Sequence, residues 1–414
     1  MSHDVMITND ATVMGILALI LGFVFYTSNS SHPFWKSFYK YIPALLMCYF
    51  LPSLLNTFDV VDPERTKVYF VASRYLLPAC LVLFILSVDI KAIWALGWKA
   101  PVMFGIGTLG IVIGGPIAIL IVSTFAPEWV GGQGPDAVWR GMTTIAGSWI
   151  GGGANQTAMK EIYQVGNDVF GAMVTVDIIV ANLWMAVLLI LAANAKAIDE
   201  ATGADTTAIT ELKDKVEKYH AQNTKTPELN NYMMIFATGF GVTGFAHFIS
   251  DIITPYFQQF PELQRFSFHS SFFWMIVIVT TMGIILSFTR LRDMEAYGAS
   301  KIASSFLYIL VATIGLHMNI ASILDTPQLF LIGGIWMLIH ASLMLITAKL
   351  IKAPLFYMAV GSQANVGGAA SAPIVAAAFH PALAPVGVLL AVLGYAVGTY
   401  AAWFCGQLMQ AVAP

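Results

Sequence analysis

Residues 147–158 read Gly147-Ser-Trp-Ile-Gly-Gly-Gly-Ala-Asn-Gln-Thr-Ala158, between two apolar runs at 101–124 and 168–193 that are each long enough to cross a bilayer. The wider segment 142–161 holds Thr143, Thr144, Ser148, Asn155, Gln156, Thr157, Lys160 and Glu161 with four glycines, which is too polar to face lipid. Backbone that departs from helix survives at membrane depth only where protein buries it or water lines it. Residues 361–378 repeat the theme, with 12 Gly, Ala or Ser among 18 positions plus Gln363, Asn365 and Pro373. Both segments are expected to be re-entrant hairpins or broken helices, whose free N–H groups suit anions and whose free carbonyls suit cations.

The rest of the chain sets these segments in a membrane. Of 414 residues, 58% are hydrophobic and only 10% charged, with a mean hydropathy of +0.75. A soluble domain typically carries about 25% charged residues. Long apolar runs, rather than short alternating segments, exclude a membrane barrel. The net charge of −3 and the lack of a basic tract exclude nucleic acid as a partner. Cys48, Cys80 and Cys405 sit singly in apolar runs, which gives neither a disulfide framework nor metal spacing. The first run follows Asp4 and Asp10 with no basic residue before it, so it reads as a retained helix rather than a cleaved signal.

Ten runs of spanning length fall at 11–27, 38–55, 68–88, 101–124, 168–193, 232–254, 270–289, 302–320, 328–349 and 383–410. Between the fifth and sixth lies a soluble insert, 195–230, with 12 of the 43 charges. Ile209, Leu212, Val216 and Tyr219 recur there at helical spacing, which predicts a short amphipathic linker helix. The insert separates a first repeat, 1–194, from a second, 231–414, with Gly-rich segments at 141–165 and 354–380.

The halves match residue by residue. Gly147, Ser148, Gly153, Ala154, Thr157 and Ala158 precede Gly361, Ser362, Gly367, Gly368, Ser371 and Ala372 by 214 positions. Leu86, Asp89, Ile90 and Ile93 precede Leu316, Asn319, Ile320 and Ile323 by 230. If each Gly-rich segment enters and leaves on one face, every half has five spans and the repeats are inverted. The expected fold is an all-α polytopic membrane protein of two inverted repeats, about five spans each, with one re-entrant or broken helix per repeat. With the N-terminus outside, 14 basic residues face the cytoplasm and 5 the exterior, with Arg74 embedded. Fully crossing segments with the N-terminus inside give parallel repeats and 13 against 6, so the segments' polarity decides.

Asp177 sits ten residues into the helix after the first Gly-rich segment, where its counterpart is Leu393. An aspartate at that depth costs about 2.5–3.5 kcal/mol and is expected to be paired, protonated or bound to a cation. Arg74, seven residues into the third span, is the candidate charge partner, and Asn182 is expected to extend the polar face of Asp177. Asp89 and Asn319, at helix ends, are expected to cap or to meet the interface. His247, His317, His340 and His380 are dispersed and expected to be hydrogen-bonded structural residues. Gly110 with Gly114, and Gly394 with Gly398, read as helix-packing pairs. No Gly-x-x-x-x-Gly-Lys-Ser/Thr loop occurs, and Ser148 and Ser362 lack a recognisable base, so an enzyme is not expected.

The two strings, with Val176-Asp177 after the first and Gly361-Ser-Gln-Ala-Asn-Val-Gly-Gly-Ala-Ala-Ser371 in the second half, resemble the YjcL-like family of bacterial and plastid membrane proteins, long designated a domain of unknown function. The resemblance covers nearly the whole chain. It implies kinship with elevator-type secondary carriers built from inverted repeats, among them the sodium–citrate and bile-acid–sodium groups. The chain departs from the citrate carriers in lacking an arginine within either motif. The expectation is therefore a cation-coupled transporter of a small polar or anionic solute. Ser148, Asn155, Gln156 and Thr157 would meet Ser362, Gln363, Asn365 and Ser371 around the solute. Asp177 and Asn182 would serve the coupling ion, with Na⁺ preferred over H⁺ and no other metal or cofactor. A homodimer in the bacterial inner membrane, or a plastid membrane in a plant, is the expected setting. A channel filtered by the hairpins is the alternative, followed by a receptor or an intramembrane enzyme.

Overall fold

The computed structural model describes residues 7–206, 209, 226–318 and 327–414. Leu212, Val216 and Tyr219 of the expected linker helix lie outside the described residues, as do Asn319, Ile320 and Ile323 of the second repeat match. The described part is helical, with one isolated bridge between Ile7 and Val61. Among the described residues, eight helices are apolar and long enough to cross a bilayer, and up to ten if two sharply bent pairs each count as one span. This is the architecture of an all-α, multi-pass membrane protein.

The helices sort into two sets by contact. One contains α1 (Asp10–Ser28), α2 (Pro33–Tyr41), α3 (Ala44–Thr57) and the interrupted span α4 (Val68–Leu86). The other begins with α5 (Lys99–Ser123), the Gly-rich α6 (Val138–Ile162) and α7 (Asn167–Ala193), from which α8 (Ala195–Thr202) leads away. The second half returns to the first set with α9 (Leu229–Phe257), α10 (Ser271–Ser287) and α11 (Ala299–Leu316). It then adds α12 (Gln328–Leu350), α13 (Leu355–Val366), α14 (Gly368–Phe379) and α15 (Ala384–Val412) to the second set. The densest contacts run within sets, α15 on α6 and α12 on α5 in one, α9 on α10 and α11 on α3 in the other.

Both Gly-rich segments fold back on themselves. In α6 the break is Gly152, at φ 73° and ψ −174°, a region open essentially to glycine alone. A methyl on Gly147 would come within 2.6 Å of the Asn155 carbonyl oxygen. Eight residues of straight helix would separate them by about 12 Å. At the open end the Arg140 guanidinium donates to the Tyr163 carbonyl, and the Trp139 and Tyr163 rings lie 5.8 Å apart. In the second half the break is at Gly367 and Gly368, the latter at φ 57°. Phe356 and Phe379, at opposite ends of α13 and α14, bring their rings to 5.4 Å.

A face of small residues on α15 carries both hairpins. Gly387 abuts the Ala372–Pro373 peptide, Gly394 the Ile150 carbonyl and Gly398 the Cα of Gly151. Gly110 and Gly114 likewise admit His340 and Trp336 of α12. These glycines allow close backbone approach. A Cβ on Gly398 would sit 2.7 Å from Gly151 Cα, a backbone atom that cannot swing aside. Gly398→Val should therefore cost about 1–3 kcal/mol in overpacking, read as a lower melting temperature. Gly241→Val, at a glycine with nothing within 4 Å of its added Cβ, should leave melting unchanged.

Candidate functional site

The two hairpins meet tip to tip. A Cβ on Gly368 would lie 4.0 Å from the Cα of Gly152, so the two breaks are in contact. One face of α7 serves both tips, because Asp177 and Trp184 stand seven residues, or two turns, apart.

Asp177, 6% exposed, closes on the first hairpin. Its Oδ1 accepts from Trp149 Nε1 at 2.7 Å and its Oδ2 from Gln156 Nε2 at 2.9 Å. Trp149 precedes the break and Gln156 follows it, so the carboxylate joins the two arms. Ser148 adds a hydroxyl beside it. These donors are neutral, and no cationic side chain forms a salt bridge with Asp177 among the described residues. The Gln156 carbonyl oxygen faces the Tyr49 hydroxyl of α3 at 3.4 Å.

Trp184 closes on the second hairpin. Its Nε1 donates to Ser362 Oγ at 2.8 Å, and Ser362 Oγ lies 2.8 Å from His340 Nε2. His340 Nδ1 lies 3.1 Å from the Gly107 carbonyl, which can only accept. The Nδ1–H tautomer follows, with Ser362 donating to Nε2. All three side chains are fully or nearly fully buried.

The two asparagines act as matched locks. Asn155 donates to the Gly151 carbonyl at 3.0 Å and accepts from Thr399 of α15 at 2.6 Å. Asn365 donates to the Gly361 carbonyl at 3.0 Å and to the Phe104 carbonyl at 2.9 Å, and accepts from Thr108 of α5 at 2.7 Å. Each hairpin is thus held to a long helix of the opposite half. Thr157 turns its hydroxyl to the Gly153 carbonyl. Gln363 donates to Ser371 Oγ at 2.7 Å, leaving its buried Oε1 without a hydrogen-bond partner among the described residues.

Two expected placements differ. Arg74 pairs with Glu161 at 3.0 Å rather than with Asp177. Asp177 engages the hairpin within four residues of its break, whereas Glu161 lies nine residues past it, nearer the base. Arg74 sits on a π-helical turn, Ala72–Leu76, and its guanidinium lies 4.4 Å from the centre of the Phe272 ring, on the side of α10. Asn182 does not extend the polar face of Asp177. Five residues separate them, about 140° around the helix, and its amide donates to the Ile178 carbonyl of its own helix. The sequence alone does not single out Trp149, Trp184, Tyr49, Thr108 or Thr399. The usable signal is tryptophan within spans instead of at their ends, since a buried indole N–H requires an acceptor.

Polar contacts cross between the two sets of helices near the base of the first hairpin. Tyr69 of α4 donates to Glu161, which also binds Arg74, and Lys160 reaches the Tyr69 hydroxyl at 3.3 Å. Glu161→Gln would leave Arg74 and Lys160 facing each other without a carboxylate, at about 1–3 kcal/mol. Arg74→Gln leaves Glu161 its tyrosine donor and Lys160 at 4.0 Å. Glu161→Gln should therefore lower the melting temperature more than Arg74→Gln, an order that an irrelevant surface pair would not produce. Just after α4, Asp89 caps the Ala92 N–H and pairs with Arg292 of the α10–α11 connection at 3.2 Å. Outside the spans Asp199 accepts the Leu355 N–H at 2.8 Å, tying α8 to the start of α13, and burial lifts its pKa above the usual aspartate value.

The fold and the paired hairpins define a multi-pass membrane protein built around a buried, polar, two-sided centre. Residues 15–412 match the family model described as "Protein of unknown function (DUF819)", and the chain belongs to that family. It is 22% identical over 363 residues to the "Uncharacterized membrane protein YjcL" of Bacillus subtilis (strain 168), an alignment covering 84% of this chain and 85% of that protein.

Proposed function

We propose that the protein is a secondary active transporter of a small polar or anionic solute, driven by a cation gradient. The observation that carries this reading is the contact between two folded-back hairpins, with Asp177 bound to both arms of one and facing no cationic partner among the described residues. A carboxylate so placed is costly to move through the membrane unless a cation or proton travels with it. The Asp177 carboxylate with the Ser148 hydroxyl beside it suits a hard, weakly held cation, and Na⁺ is preferred over H⁺ in this reading. In this reading the halves are inverted repeats, since each hairpin returns to the face it left and each half keeps five spans. The hairpins with α5, α7, α12 and α15 are the moving body. The other set is the scaffold, which also supplies a homodimer contact, and transport is of the elevator type.

Purified protein in proteoliposomes tests the proposal. Preloaded vesicles exposed to a panel of mono- and dicarboxylates and neutral metabolites should show saturable, sodium-dependent counterflow of one class. Ohmic single-channel current without counterflow would replace the carrier with a pore.

A further inference from the structure

At the base of the first hairpin lies a second polar centre, remote from the tips. A cavity of about 770 Å³ opens between this base, the α9–α10 connection and the end of α15. Its polar lining includes Arg140, Gln164, Glu262, Gln264, Arg265 and Gln410. A space of this size accommodates a small metabolite. Arg140 is held in place by its bond to the Tyr163 carbonyl and by the Trp139 ring, 5.0 Å from its guanidinium carbon. Arg265 stacks on Phe266 at 4.5 Å. Neither guanidinium has a carboxylate partner among the described residues. Against them stands one lining carboxylate, Glu262, so the cavity carries a formal charge of +1 with His269 neutral.

Backbone fields act in the same direction. Trp139 and Arg140 belong to the first turn of α6, and Ser270 caps α10, so two helix N-termini open on this cavity. Each brings the positive end of a helix dipole to the cavity, although the N–H groups of Val138, Arg140 and Phe273 are already bonded to the Gly131 carbonyl, the Ala137 carbonyl and the Ser270 hydroxyl. Stacked arginines with surrounding side-chain amides form the donor set that recognises carboxylate or phosphate oxygens in two-point fashion.

We infer that the cleft at the base of the first hairpin binds a small anion through Arg140 and Arg265, its carboxylate or phosphate oxygens belonging to a free metabolite or to a lipid headgroup. The site does not depend on the transport reading, because it shares no residue with the Asp177 centre.

The test uses the full chain, with sodium absent so that the Asp177 centre does not contribute. Detergent-solubilised protein is titrated with the N-methylglucamine salts of succinate and phosphate at constant ionic strength, with melting temperature as the readout. Nanodiscs of phosphatidylglycerol and of phosphatidylcholine form the lipid arm. A saturable rise with succinate or phosphate, weakened about tenfold in Arg265→Gln as expected for one lost charge-assisted contact, and retained in Asp177→Asn, supports a free anion. A rise only in phosphatidylglycerol, again lost in Arg265→Gln, supports the headgroup. Arg265 is exposed, so its substitution should not disturb folding. No saturable response in any arm, or a response unchanged in Arg265→Gln, overturns the inference.

Discussion

Asp177→Asn is expected to abolish sodium-dependent stabilisation and sodium-driven uptake while the protein still folds. The substitution preserves shape, so Trp149 Nε1 keeps an oxygen acceptor in place of the one it holds at 2.7 Å. The difficulty falls on Gln156, whose Nε2 would meet the new amide N–H₂ where it now meets Oδ2. Reversing the Gln156 amide relieves the clash. Its carbonyl then accepts from the introduced amide, and its N–H₂ turns to the Tyr49 hydroxyl, which can accept as well as donate. The fold should therefore lose no more than about 1–2 kcal/mol, whereas the site loses the charge of its carboxylate.

A ligand selective for the folded state stabilises it by mass action, about 2.7 kcal/mol at a hundred times its Kd. The wild type should thus melt higher in sodium chloride than in N-methylglucamine chloride, and Asp177→Asn should melt alike in both. Equal sodium dependence in both proteins would remove Asp177 from the ion site. A wild type indifferent to sodium, with pH-driven uptake that Asp177→Asn abolishes, would identify the proton as the coupling ion.

Much of this architecture is legible in the sequence because the bilayer imposes it. Apolar runs of spanning length have no alternative to helix, and the polar Gly-rich strings at 142–161 and 361–378 have no alternative to protein burial or water. That constraint leaves a re-entrant hairpin or a broken helix, and the structure shows the hairpin. The partners inside the site do not follow from the constraint. Trp184 and Ser362 are 178 positions apart, and Thr399 and Asn155 are 244 apart. No periodicity reports such pairs. Aligning the strings by their glycines, at an offset of 214, also conceals the equivalence of the asparagines. Gly151-x-x-x-Asn155 and Gly361-x-x-x-Asn365 make the same bonds at an offset of 210, one spanning its break and the other before it. Counting depth along a regular helix misplaces Arg74, because neither the π-helical turn nor the nearer carboxylate of Glu161 announces itself in the span.

A disulfide across the seam should stop transport without stopping ion binding. Thr280 of α10 and Thr399 of α15 approach to 3.1 Å between hydroxyl oxygens, both fully or nearly fully buried, and they belong to different sets of helices. Ser250 of α9 and Ser271 of α10 approach to 3.2 Å within one set. The two pairs make a matched experiment, in a background where Cys48, Cys80 and Cys405 are replaced. If one body slides past the other, oxidised Thr280→Cys/Thr399→Cys protein cannot complete the cycle. Uptake should fall to background and return on reduction, while the sodium-dependent melting shift persists because Asp177 and its Trp149 and Gln156 donors are not substituted. Oxidised Ser250→Cys/Ser271→Cys protein should transport normally, since that bond joins helices that move together. The reduced Thr280→Cys/Thr399→Cys protein measures separately what Asn155 loses when Thr399 no longer donates to it. Undiminished uptake in fully cross-linked Thr280→Cys/Thr399→Cys protein would show that the two sets do not shift against each other, and would confine any gating to the hairpin tips.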